Sequence, residues 1–350
     1  MINYIYRSAL LSLLLAMSMT SQALVVLQYH HVDAQGPAST SLSPAQFIEH
    51  MQLLEELGFE VVDLEKATLE LFDGKTQIDP TSKRVAISFD DAYTSIITAA
   101  YPELKRRNWP FTIFVNPLAV NQKNRNIMSW EQLQQLVDDG VTIANHSDSH
   151  AHLPTIPEGY SLDQWLNEEV TAPYNELKKR LGKVSTMFAY PYGEFTMDIA
   201  NWLKERNILA FGQQSGPIGP HSHPQALSRF PAAGVYANPE TLKTKIMSMA
   251  LPVAASEFIN PIVADDNNPP KMTIKLIKSD YNPKLLQCFA SQQGAIETTV
   301  ESQSATQDDV ITLTTQAPHK FKIKRARYNC TVPSSQKGRY YWYSQPWQMY

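Results

Sequence analysis

The stretch Val85-Ala86-Ile87-Ser88-Phe89-Asp90-Asp91-Ala92-Tyr93 decides how the chain is organised. A continuous apolar run of this kind is the pattern of a parallel strand buried on both faces. It ends in two adjacent carboxylates, and in parallel α/β folds catalytic groups collect in the loops after strand C-termini. Neighbouring side chains on an extended chain point to opposite sides. One aspartate can therefore hold a metal ion while the other stays free to move a proton. The plainer use of the same residues is a polar turn in which Asp91 caps the helix that follows.

Outward from this strand the pattern repeats. Apolar strand-like runs occur at residues 24–29, 60–64, 111–115, 141–144, 186–189, 208–211 and 225–230. Helical segments separate them. Ser43-Pro44 opens an amphipathic helix carrying Phe47, Met51, Leu54 and Leu57 and stopped by Gly58, while Ser129…Gln132 and Ser161…Gln164 are capping boxes. A last helix is expected near residues 239–249. Strand–helix alternation at this spacing predicts a parallel α/β domain over residues 24–262. The pattern then changes at the polar linker Asp265-Asp266-Asn267-Asn268-Pro269-Pro270. Short alternating segments follow at 273–277, 310–314 and 321–325, with the aromatic Tyr340-Tyr341-Trp342-Tyr343 near the end. Residues 263–350 therefore read as a small, antiparallel, β-sandwich-like accessory domain.

The chain has 350 residues, 43% of them hydrophobic, with a formal charge of -4 and a pI near 6.1. This is the composition of a globular protein, and it gives no electrostatic reason to expect nucleic acid as partner. Arg7, the apolar run over residues 9–17 and the small residues Ser21-Gln22-Ala23 form a signal-peptide pattern over residues 1–23. Cleavage after Ala23 and export to the periplasm or the extracellular space are expected. No second apolar run suggests a transmembrane segment. The two cysteines, Cys288 and Cys330, read as a disulfide in an exported protein, with two free thiols as the alternative. The N-terminal domain has no cysteine, which excludes thiol catalysis and cysteine-bound zinc there.

His146 and His150, in Asn145-His146-Ser147-Asp148-Ser149-His150, lie four residues apart after another apolar strand. Two histidines and an aspartate at strand C-termini make a three-ligand site with room for water. Such a site suits zinc, and also cobalt, nickel or iron. Two exposed loop histidines are the alternative. In order along the chain stand Ser88-Phe89-Asp90-Asp91, His146-Ser147-Asp148-Ser149-His150 and Tyr190-Pro191-Tyr192-Gly193. This series resembles the polysaccharide deacetylases, also called NodB-like or carbohydrate esterase family 4, over roughly residues 24–250.

The resemblance implies a distorted (β/α) barrel and a metal-dependent hydrolase acting on an acetylated polysaccharide. It implies Asp91, His146 and His150 as ligands of one divalent metal, zinc first. Asp90 would be the base that takes a proton from water on that metal. Pro191 and Tyr192 would line the substrate and oxyanion site, the Tyr192 N–H facing the oxyanion. The departing amine needs an acid. Tyr29-His30-His31-Val32 resembles the permuted subgroup containing the poly-N-acetylglucosamine deacetylases, which implies His30, with His31 structural. His221 and His223, in a proline-flanked loop, are the other candidates.

Two departures stand out. The arginine that usually precedes the third motif is replaced by Ala189, leaving the base without its usual partner. The aspartate–tryptophan motif lining the sugar pocket is not evident. The leading expectation is N-deacetylation of an extracellular N-acetylhexosamine polymer. The alternatives are an O-acetyl esterase of xylan or another glycan using the same residues, and a non-catalytic secreted carbohydrate-binding protein. The aromatics near the C-terminus, Trp347 included, serve either core packing or sugar stacking, and the accessory domain is expected to bind glycan or protein. His152 is expected to be a bystander.

Overall fold

The computed structural model describes residues 23–73, 82–254, 259–302 and 310–350. The signal-peptide expectation for residues 1–23 therefore falls almost wholly outside the described residues.

Eight parallel strands form the first sheet: β1 (Leu24–Tyr29), β2 (Glu60–Val61), β3 (Arg84–Asp90), β4 (Thr112–Val115), β5 (Thr142–Asn145), β6 (Phe188–Ala189), β7 (Ala210–Phe211) and β8 (Phe230–Pro231). Their order is β8-β1-β3-β4-β5-β6-β7, with β2 pairing the N-terminal half of β3. Leu227 bridges Phe211 while Phe230 pairs with Leu27, so residues 227–231 link the two ends into a distorted barrel. Every residue of β1 is buried, and so are six of the seven in β3. Alternation divides each strand between two cores. Val25, Leu27, Tyr29, Val85, Ile87 and Phe89 meet the helices outside. Leu24, Val26, Ala86, Phe114, Ala144, Ala189, Phe211 and Leu227 fill the barrel. By the same parity Gln28, Ser88 and Asp90 point inward at the C-terminal end.

Ser129 and Ser161 cap helices Trp130–Asp138 and Leu162–Leu166 through the expected capping boxes, and Ser43 caps Pro44–Glu56 through a third, with Gln46. The helix expected to run unbroken from Ser161 to about Leu181 instead passes through a π-turn at Asn167–Thr171 before Ala172–Leu181. Pro173 has no N–H to return to the carbonyl four residues back, so the ladder widens there. The same device, Pro102 after the π-turn Ile96–Ala100, follows the Asp90-Asp91 loop.

The chain enters a second body at β9 (Ser248–Ala250). The rest of it is β10 (Lys271–Ile277), β11 (Gln287–Ala290), β12 (Gly294–Ile296), β13 (Thr298–Ser302), β14 (Val310–Gln316), β15 (Arg325–Pro333) and β16 (Tyr340–Gln348). A five-stranded sheet, β9-β16-β15-β11-β12, and a three-stranded sheet, β10-β14-β13, share one core. Strands β10 and β15 alternate buried and exposed residues along their length. Residues 321–324, expected to be strand, are irregular, and the strand runs from Arg325 instead. Cys288 and Cys330 face each other across β11 and β15 and are bonded. Tyr341 and Trp347 are core residues, whereas Trp342 packs on the barrel, 5.5 Å from Phe230. No described helix is long and apolar enough to cross a membrane.

Candidate active site

Asp90 is the last residue of β3, inward-facing and fully buried. Asp91 follows in the left-handed region (φ +62°), which swings its carboxylate away from that of its neighbour. The two aspartates thus occupy different environments.

Asp91 joins the histidines. Its Oδ1 lies 3.9 Å from Nε2 of His146 and 3.9 Å from Nε2 of His150, and one donor atom from each residue lies within 4.8 Å of the others. His146 is fully buried, and its Nδ1 donates to the Ala189 carbonyl at 2.8 Å. That bond leaves the Nε2 lone pair facing Asp91 with no partner in the protein. Burial and His146 push the pKa of His150 down to about 4, which keeps its imidazole neutral, as a ligand must be. An orphaned imidazole nitrogen, a neutral histidine and a carboxylate on one spot fit a divalent cation.

The loop is braced from behind. Ser147 and His150 both have positive φ (64° and 58°), and the Ser147 hydroxyl accepts from the His150 N–H. Glu169, buried in the second π-turn, accepts from Ser149 N–H (3.1 Å) and Oγ–H (2.7 Å). Asn145 Nδ2 donates to the Val170 carbonyl at 2.8 Å. The widened turn at Pro173 therefore grips the segment that carries both histidines.

Asp90 has different partners. Arg229, also fully buried, donates through Nη1 to Oδ1 (2.5 Å) and through Nη2 to Oδ2 (2.8 Å). Its Nε donates to the Gly212 carbonyl, and Gln28 Nε2 donates to Asp90 Oδ2 at 2.6 Å. Burial raises the Asp90 pKa, but Arg229, His146 and His30 outweigh it and hold the group well below the usual carboxylate range. A carboxylate accepts about four hydrogen bonds. Three are taken here, which leaves room for one more donor.

The absence of arginine at position 189 is thus made good by Arg229, which lies between the bridge at Leu227 and β8. One signal in the sequence pointed to it. An arginine inside the apolar run Ala226-Leu227-Ser228-Arg229-Phe230 is buried only with an anionic partner.

His30 closes the end of β1, with Nε2 3.9 Å from Asp90 Oδ2. Burial lowers its pKa, opposed by Asp90 and Asp91. His31 stacks on Tyr93 at 3.5 Å. Tyr192 has φ +59° and sets its ring edge-on to His150 at 4.5 Å. Gly193 behind it has φ +70°, and a Cβ there would lie 2.7 Å from the Gln213 N, so only glycine fits. Pro191 is buried beneath this turn. His152 is more than a bystander: it stacks on Tyr192 (4.1 Å) and pairs with Glu194 at 2.6 Å. His221 and His223 line another crevice with Leu251 and Trp342. His30, Asp91, His150 and Tyr192 share an open cleft of about 580 Å³.

The chain is similar to several known proteins. The family model described as Polysaccharide deacetylase matches residues 77–210. YxkH of Bacillus subtilis (strain 168), a protein assigned to the polysaccharide deacetylases, is 26% identical over 214 residues, 61% of this chain and 69% of that one. The fold is similar to that of the Streptococcus pyogenes deacetylase PplD in complex with acetate, with 20% identity and a TM-score of 0.56 over 65% of this chain and 99% of that one. It is also similar to IcaB from Ammonifex degensii, with 25% identity and a TM-score of 0.55 over 63% and 96%. Over residues 77–210 the chain is thus similar to the polysaccharide deacetylases, which supports a deacetylase hydrolase, and its fold is shared with the solved deacetylase structures.

Proposed function

We propose that the protein removes N-acetyl groups from an exported N-acetylhexosamine polysaccharide. One observation carries the reading: the Asp91–His146–His150 donor set, the Asp90–Arg229 pair and His30 converge at the C-terminal mouth of one barrel. Asp91, His146 and His150 would hold one divalent cation, zinc by the chemistry of the donors. A cation there supplies acidified water and a polarised amide carbonyl.

The chain's own residues do the rest. Asp90 accepts the proton of the attacking water at the lone-pair site that Arg229 and Gln28 leave open. Arg229 fixes the plane of that carboxylate and keeps it ionised. The Tyr192 N–H, presented by the Pro191–Gly193 turn, stabilises the oxyanion. His30, whose Nε2 lies 3.9 Å from Asp90 Oδ2, gives a proton to the departing nitrogen. An amine leaves poorly without that proton and an alkoxide leaves more easily, so a histidine at this place favours amide over ester cleavage. Export rests on the apolar N-terminal run.

Acetate release from purified N-acetylated and O-acetylated polysaccharides, with and without chelator, tests the reaction. Asp90→Asn is expected to lower kcat by roughly 10²–10⁴ while metal content stays unchanged. Full turnover in that variant sinks the assignment of the base. His30→Ala is expected to impair amide cleavage far more than cleavage of an activated acetate ester, and equal losses on both would remove it as the acid.

A further inference from the structure

The cleft holding the donor set is not built by the barrel alone. One wall comes from the C-terminal body: Arg325 and Arg327 of β15, and Pro346, Trp347 and Gln348 of β16. Residues 325 and 327 are two apart on one strand and share its face, and that face looks at the barrel. Arg325 Nη1 donates to the Tyr192 carbonyl at 3.3 Å. Arg327 donates to Ser215 Oγ (3.3 Å) and to the Tyr236 hydroxyl (3.4 Å).

The charges around the cleft do not balance. Asp91 is its lining carboxylate, and the donor set already uses it. Arg325 shares Glu194, 3.6 Å away, with His152. Half-buried Arg327 has no carboxylate partner among the described residues; its two bonds go to neutral oxygens and use two of five N–H donors. A second cation stands behind it. Lys245 Nζ sits 4.6 Å above the Tyr236 ring with no hydrogen-bond partner, and burial together with Arg327 pushes its pKa down to about 8. Trp347, also in the wall and almost fully buried, has an indole N–H with no partner in the protein. Arg327 thus brings spare guanidinium donors to the cleft wall beside Arg325, and the covered Lys245 ammonium behind it adds positive charge that no carboxylate there offsets.

We propose that Arg325 and Arg327 form a carboxylate-binding subsite of the cleft, so that the polysaccharide cleaved here carries uronate groups beside its acetylated residues. A guanidinium takes a carboxylate through two parallel hydrogen bonds, which orients the chain as well as attracting it. This rests on the deacetylase reading for the reaction, but not for the binding.

The test uses the full chain carrying Asp90→Asn, so that binding is read without turnover. Calorimetric titration compares a neutral N-acetylglucosamine hexamer, a hexamer alternating N-acetylhexosamine with uronate, and free glucuronate. The uronate hexamer is expected to bind about tenfold tighter than the neutral one. Raising the salt from about 0.05 to 0.5 M is expected to erase most of that preference. Adding Arg327→Gln should bring the two hexamers within about twofold, and Arg327→Lys should keep part of the preference. Equal affinities in the starting protein, a preference that ignores salt, or one that survives Arg327→Gln would each overturn the subsite. Free glucuronate matching the hexamer would overturn its assignment to a polymer. Preferential binding with no acetate release by the wild-type protein would support the subsite and defeat the deacetylase reading instead.

Discussion

The barrel and the C-terminal body of this protein put their residues to different uses. In the barrel, strands are buried on both faces, and the chemistry we propose is confined to what lies at or just past their C-terminal ends: His30, Asp90, His146 and Tyr192. In the C-terminal sheets, strands alternate, and one face is free to dock sideways. The first arrangement makes a site from loop ends that share one rim. The second makes a wall from side chains spaced along a strand, Arg325 and Arg327 among them. A catalytic centre can therefore belong to one body while the shape of its cleft belongs to both.

The largest expected effect breaks the barrel's side of this contrast. Arg229→Leu leaves Asp90 as a buried carboxylate without its cation, which should cost about 3–5 kcal/mol of stability and roughly 10²–10³ in kcat. The sign of the pH effect follows from the causes of the Asp90 shift. Burial alone raises its pKa, and Arg229 is the strongest of the groups that lower it. Without Arg229 the acid limb of the rate profile should move to higher pH. Arg229→Lys should recover part of both losses. An unmoved acid limb in the leucine variant would show that Asp90 is not the group being titrated.

Next in size is a change confined to the other body. Cys288 and Cys330 close a loop with a sequence separation of 42. Replacing both by serine should cost about 2–4 kcal/mol, and the loss should appear in the unfolding of the β-sheets with metal content unchanged. Denaturant unfolding followed together with elemental analysis checks it. A lost metal site would mean that the wall supports the barrel mouth more firmly than the contacts suggest.

A smaller effect tests the brace. Glu169→Gln weakens the hold on Ser149, between His146 and His150. Metal affinity should fall by about 10- to 100-fold with little loss of stability, as measured by competition with a chelator.

What could be read in the sequence follows from how local each feature is. The strand ending in Asp90-Asp91, the capping boxes and the histidine pair are set by residues within a few positions of each other. The order of three motifs, each at a strand's C-terminal end (β3, β5 and β6), placed them on one rim. Arg229 pairs with Asp90 from 139 positions away, so only its own oddity, a charge within an apolar run, was visible. The π-turn was legible in part, since Pro173 sits where a helix loses a bond. The docking of β15 against Tyr192 and Ser215 was not legible at all. Alternation shows that Arg325 and Arg327 share a face, but not what that face meets. For the same reason the second core, which begins at Met249, starts before the linker that composition marks at residue 265.

The finest test falls on the seam between the two bodies, at Lys245. Its pKa is lowered from 10.5 to about 8, by burial first and Arg327 second. A lysine whose pKa is lowered on folding opposes the folded state while both states are charged, below about pH 8. Between pH 8 and 10.5 the unfolded chain holds the proton and the folded one does not, so stability rises with pH across that window. A shift of this size corresponds to roughly 3 kcal/mol in a dry site. The side chain as a whole is only half-buried, although its Nζ is covered, and screening by nearby solvent reduces the expected rise to about 1 kcal/mol. Lys245→Met should remove that rise, and the difference between the two stability curves isolates it from other groups titrating in the same range. Parallel curves would place the ammonium in water, and the crowding of cations behind Arg327 would then be too weak to attract an anion to the wall.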